Sequence, residues 1–176
     1  MRTQVALLRG INVGGRNKLP MRELVDVFEY LGAHNVKTYI QSGNVVFQCE
    51  EPLGVSAISD TIRDRHGFAP RVFLMSIEQL EQAITANPYP EAVDEPKTLH
   101  LYFLNTPAAQ PELDAMTALK KESERFHLTE QVFYLHAPNG IGRSKLAERV
   151  EKLLGVPTTA RNWRSAVKIL ELARKV

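Results

Sequence analysis

The chain has 176 residues, the length of one domain or two small subdomains, enough to bury roughly 70% of its extended surface without disulfides or a metal. Its one cysteine, Cys49, excludes an internal disulfide and a cysteine-cluster metal site, and no apolar run or signal pattern points to a membrane. A soluble cytoplasmic protein without membrane partners is therefore expected. The net charge of +2 hides an asymmetry: from Arg143 onward nine Lys or Arg face three acids, so that tail is +6 and the rest −4. A basic C-terminal third points to phosphate-bearing partners, the alternative being a solvated helix face.

Thr3 to Leu8 is an apolar, β-rich run that predicts a strand. Pro20 suits the first position of a helix, and Met21, Leu24, Val25, Phe28 and Leu31 then recur at helical spacing up to Gly32, placed as a C-terminal cap. Val36 to Gln41 and Asn44 to Gln48 read as strands joined by the Ser42-Gly43 turn. Val55, Ile58 and Ile62 mark a helix ending at Gly67, Arg71 to Met75 a strand, and Ser76 with Gln79 a capping box opening a helix through Ile84. This order is the split β-α-β, ferredoxin-like arrangement.

In that arrangement we place the loop after the first strand and the Ser42-Gly43 turn at opposite ends of the sheet. Gln41 to Asn44 is then not expected beside Gly10 to Lys18, unless the first strand extends through Asn12 and Val13 to a bulge at Gly10.

Residues 87–97 are proline-rich and acidic and read as a connector. Beyond it come a strand (Thr98 to Leu104), a helix (Pro111 to Lys121) and a hairpin (Arg125 to Leu128 with Val132 to His136). Ser144 caps a helix bearing Leu146, Val150, Leu153 and Leu154, ended by Gly155 and Pro157. A last helix carries Trp163, Ala166, Val167 and Leu170 on one face. The expected organisation is an α+β chain: a ferredoxin-like subdomain (1–86), the connector (87–97) and a second, related α+β subdomain with basic C-terminal helices (98–176).

The loop Arg9-Gly10-Ile11-Asn12-Val13-Gly14-Gly15-Arg16-Asn17-Lys18 joins a strand to a helix. Flexible backbone, three cations and a helix N-terminus can cradle an anion. The loop is not a P-loop: Arg16 and Asn17 stand where Lys and Ser/Thr would hold phosphate and magnesium, and the helix begins late. The competing reading is a wide turn with glycines at positive φ, in which Asn12 and Asn17 bond their own backbone. Two further glycine-flanked or basic approaches to helices are Gly140 to Lys145 and Thr158 to Arg164. Their candidate anion-binding residues are Ser144, Lys145, Arg161 and Asn162, with Asn162 or Thr159 as a helix cap. Trp163 reads as a core residue, its alternative being a stacking platform.

Catalytic patterns are thin. His34, His66, His100, His127 and His136 lack metal-ligand spacing, no serine sits in a nucleophile elbow, and Cys49 has no evident base. No cofactor is implied.

The runs Leu7 to Asn17, Thr38-Tyr39-Ile40-Gln41-Ser42-Gly43-Asn44-Val45-Val46-Phe47, Ser144-Lys145-Leu146 and Thr159-Ala160-Arg161-Asn162-Trp163 resemble the bacterial domain of unknown function 1697. Where that pattern has Asn-Thr after the Trp, this chain has Arg164-Ser165, so those two take no family role. The resemblance implies two α+β subdomains and no reaction. Three functional readings follow: a binding protein for a nucleotide, nucleic acid or other phosphate-bearing ligand, a transferase or hydrolase acting at the same loops, or a protein-interaction domain.

Overall fold

The structure, a computed structural model, describes residues Met1–Val176. The first half runs β1 (Arg2–Arg9), α1 (Met21–Tyr30), β2 (His34–Tyr39), β3 (Asn44–Cys49), α2 (Val55–His66) and β4 (Arg71–Ser76), then α3 (Ile77–Thr85). Its four strands form an antiparallel sheet in the order β2-β3-β1-β4. The second half repeats the plan with β5 (Leu99–Leu104), α4 (Leu113–Leu119), β6 (Arg125–Leu128), β7 (Val132–His136), α5 (Lys145–Leu154) and β8 (Thr158–Asn162), in the sheet order β6-β7-β5-β8. The chain is thus an α+β fold of two similar four-stranded halves, followed by α6 (Trp163–Ala173).

Each sheet buries one face under its own helices. In the first half Ala6, Leu8, Val45 and Phe47 meet Leu24, Val27 and Phe28 of α1 and Ile58 and Ile62 of α2. In the second, Tyr102, Phe133 and Leu135 meet Met116 of α4 and Leu146, Val150, Leu153 and Leu154 of α5. Local signals set the boundaries: Gly67 and Gly155 take left-handed φ at the ends of α2 and α5, and Ser76 and Gln79 form the reciprocal capping box at 2.8 and 3.2 Å.

Two compact units emerge, Met1–Gln82 with Val167–Val176, and Ala83–Ala166. The last turns of α6 group with the first unit, where Arg174 pairs with Glu81 and Lys168, Glu171 and Leu172 line a cavity with Thr38 and Tyr39. The 87–97 segment contains a 3-10 helix, Pro90–Asp94. It is pinned by Arg125, which stacks 4.4 Å over the Tyr89 ring, pairs with Glu91 and donates to His136 Nδ1 at 3.0 Å.

Three expectations are corrected, and one open choice is decided. Thr158–Asn162 is not a loop leading into a helix but a strand, pairing with β5 along its length. The buried face of α6 is Ala166, Ile169, Leu170 and Ala173, while Trp163 is half-buried at the helix's first position and is no core residue. Of the two caps considered, Asn162 serves, its Oδ1 accepting from Ser165 N at 2.9 Å, and Thr159 lies in β8. The loop after β1 and the β2–β3 turn lie at the same end of the sheet, since Leu7 stands opposite Asn44 and Leu8 N donates to Gly43 O at 2.7 Å. The expectation of opposite ends overlooked that α1 carries the chain back, so β2 runs parallel to β1 and finishes where β1 does.

Candidate functional site

At that shared end the first loop is a braced hairpin. Arg16 N donates to Val13 O at 3.0 Å across Gly14 (φ 58) and Gly15 (φ 73), the left-handed pair that a type I′ turn requires. Asn12 N donates to Asn17 O at 3.0 Å, and Asn17 Nδ2 to Gly10 O at 3.0 Å. The Asn12 side chain accepts from Leu19 N at 2.7 Å and donates to Leu19 O at 2.9 Å and Gln41 O at 2.8 Å, tying the loop to the β2–β3 turn. The backbone N–H groups of Asn12, Arg16 and Leu19 are therefore spent inside the loop. What it offers outward is Arg16 and Lys18, both exposed, and two exposed apolar residues, Val13 (63%) and, on the neighbouring turn, Ile40 (52%). Ile40 also holds φ 49, a conformation that a β-branched residue rarely adopts. Arg9, the last residue of β1, stands opposite Arg71.

The other candidate segments belong to the second unit, where strand register places them. Leu99 stands opposite His136 and His100 opposite Asn162, so β5 begins where β7 and β8 end. From β7 the chain turns through Ala137, whose N–H donates to Thr98 O at 2.8 Å, and Gly140 (φ 93) to a 3-10 turn, Ile141–Arg143, and α5. The far end of α5 lies at the other end of the sheet, with Glu112 N donating to Leu153 O at 2.8 Å and Asn105 N to Pro157 O at 3.2 Å. Both α5 and α6 therefore start at the same end of the second sheet. Ser144, fully buried, accepts from Ala147 N at 3.0 Å, and Asn162 caps α6 in the same way. The first amides of each helix lack intrahelical acceptors, and Arg143, Lys145 and Arg164 are exposed around them.

Arg161 is not among these cations. It stands opposite Leu101, on the face away from α4 and α5, and donates to Thr159 Oγ1 and Ala160 O, both at 2.8 Å, with burial pushing its pKa down to about 10.

The structure adds one residue that sequence reasoning passed over. Along β5 His100 alternates with Leu101 and shares the face of Tyr102, which packs under α5. His100 is 8% exposed, and its Nδ1 is buried without a hydrogen-bond partner. Burial pushes its pKa down to about 4, so the ring is neutral near pH 7. The signal was present in the strand alternation, which puts a histidine in register with a core tyrosine.

Two surface cavities of the first unit, of about 240 and 540 Å³, hold none of the predicted site residues. No three His, Cys, Asp or Glu side chains gather to hold a metal ion, and no helix is long and apolar enough to cross a membrane.

The family model for DUF1697, a protein of unknown function, matches residues 1–134, and the chain belongs to that family. A solved structure described as conserved bacterial protein SP0830 from Streptococcus pneumoniae is similar with a TM-score of 0.68 and 24% sequence identity, over 98% of each chain. That likeness is one of fold. No curated protein matches the chain.

Proposed function

We propose that this member of the DUF1697 family binds a phosphate-bearing ligand, a nucleotide or a nucleic acid, at the end of its second sheet where α5 and α6 begin. The observation that carries this reading is that two helices, of ten and eleven residues, start at the same end of the second sheet, with Arg143, Lys145 and Arg164 exposed at their starts. Unpaired helical amides and the positive end of the helix dipole favour an anion, and three cations around them add attraction. In this reading Ser144 and Asn162 shape the site as caps, and Lys145 contacts the ligand. Arg9, Gly10, Asn12, Gly14, Gly15, Arg16, Asn17 and Lys18 form a separate basic hairpin of the first unit and take no part in this three-cation site. Arg161 supports β8. A single buried thiol, Cys49, suits a reducing compartment such as the cytoplasm.

The test is calorimetric titration at low salt with inorganic phosphate, pyrophosphate, nucleoside monophosphates and a short oligonucleotide. Binding is expected, and changing Arg143 and Lys145 together to Ala should weaken it at least about tenfold. Oligonucleotide binding through three cations should show a slope of log K against log salt of roughly −2 to −3. No binding by any probe would overturn the proposal.

A second reading, a protein-interaction surface, is favoured by Val13 and Ile40, large apolar side chains exposed on hydrogen-bonded turns rather than on floppy ones. The enzyme reading gains no nucleophile here, because the Ser144 hydroxyl is buried and committed to the Ala147 amide.

A further inference from the structure

Resting on the protein-interaction reading of Val13 and Ile40, we infer that the paired turns at the end of the first sheet dock an acidic segment of a partner protein, one in which carboxylates flank aliphatic or aromatic side chains. The two apolar residues share one mount. The Asn12 side chain donates to Gln41 O at 2.8 Å, and Val13 and Ile40 are the chain neighbours of the two residues so joined. Further hydrogen bonds, from Arg16 N to Val13 O and between Asn12 and Leu19, hold that mount before anything binds, so docking has little backbone left to order.

Ile40 is the residue that folding leaves unexplained. It is 52% exposed, so burial does not account for it, and φ 49 strains a β-branched side chain. Asn or Gly takes such a φ with little penalty, as Asn12, Asn17 and Gly43 do in the same two turns. An exposed, strained aliphatic residue on a braced turn is accounted for by contact with the apolar surface of a partner.

Charge then selects the partner. The stretch from Arg9 to Arg22 carries Arg9, Arg16, Lys18 and Arg22 and no acid, and the β2–β3 turn carries no charge. Arg71 stands opposite Arg9, and the next acid in the chain, Glu23, lies 3.3 Å from His66 Nδ1. Tyr39, just before Ile40, lines the cavity of about 240 Å³ with two lysines, Lys168 and Lys175, and one acid, Glu171. A face of this sign attracts carboxylates and repels a basic partner. Nucleic-acid phosphates would meet the same cations but gain nothing from two aliphatic side chains, and neither turn holds an aromatic ring on which a base could stack.

The experiment selects a random peptide library, displayed on phage, against the full chain and titrates the enriched peptides. Enrichment of Asp and Glu around Leu, Ile or Phe is expected, with binding that weakens as salt rises. Val13→Ser, Ile40→Asn and the Arg16→Glu/Lys18→Glu double variant should each lower affinity about tenfold or more. Ile40→Asn should unfold at a urea midpoint no lower than the wild type, because Asn relieves the strain, so its loss of binding is not a loss of fold. Enriched peptides that are neutral or basic, yet still weakened by Val13→Ser, overturn the acidic partner and leave the interaction surface standing. Peptides that bind the Val13 and Ile40 variants as well as the wild type, or no enrichment at all, overturn both. A mixed-sequence oligonucleotide whose binding falls in Arg16→Glu/Lys18→Glu and is unmoved by Val13→Ser assigns the face to nucleic acid and overturns the proposal.

Discussion

At the scale of single residues, the glycines of the two turns in the first half do different jobs. Gly43, at φ +87, presses its backbone against β1: an added Cβ would stand 2.7 Å from Leu8 Cβ and 3.2 Å from Leu8 O. Gly15, at φ +73, has open space where a Cβ would go. Gly15→Ala should therefore cost about 1 kcal/mol from backbone strain alone. Gly43→Ala adds a clash against two buried or bonded groups and should cost roughly 2–4 kcal/mol. Urea denaturation of the pair checks this, and equal losses would show that the close approach at Leu8 has no energetic weight. Neither substitution should alter phosphate affinity, since neither glycine lies in the second unit.

At the scale of elements, the hairpin after β1 and the β2–β3 turn act as one piece because one side chain joins them. Asn12→Ala removes the bonds to Leu19 N, Leu19 O and Gln41 O. The expected cost is about 1–3 kcal/mol, with faster amide exchange in 12–19 and 40–43 together. Faster exchange in 12–19 alone would mean that the turn stands without the loop. This coupling was hidden in the sequence by one wrong step, the direction of β2, although the element order itself was legible from glycine caps and apolar spacing. Strand β8 was hidden for another reason. Thr158-Thr159-Ala160-Arg161-Asn162 has no apolar alternation, because an edge strand pairs on one side only and can be polar throughout. Its place was nevertheless implied by the repeat of architecture, since β4 occupies the same position in the first half. The α6 face slipped by one step for want of a tertiary partner in the sequence, and Trp163 went with it. Of the candidate site, Ser144 and Asn162 were readable as caps, but that their helices start at the same end of a sheet needed β8.

At the scale of the whole molecule, His100 links folding to pH. Its pKa is about 4 in the folded chain against an ordinary 6.5, so below pH 6.5 the unfolded chain binds the extra proton. Stability from this group is complete above pH 6.5 and falls by about 1.4 kcal/mol per pH unit as the pH drops toward 4. His100→Phe removes both the titration and the orphaned Nδ1 while keeping an apolar body of similar size. The variant should unfold at a urea midpoint equal to or above that of the wild type at pH 7.5, and its midpoint should fall less between pH 6.5 and 4.5. Parallel pH profiles for the two proteins would show that His100 does not carry the acid sensitivity.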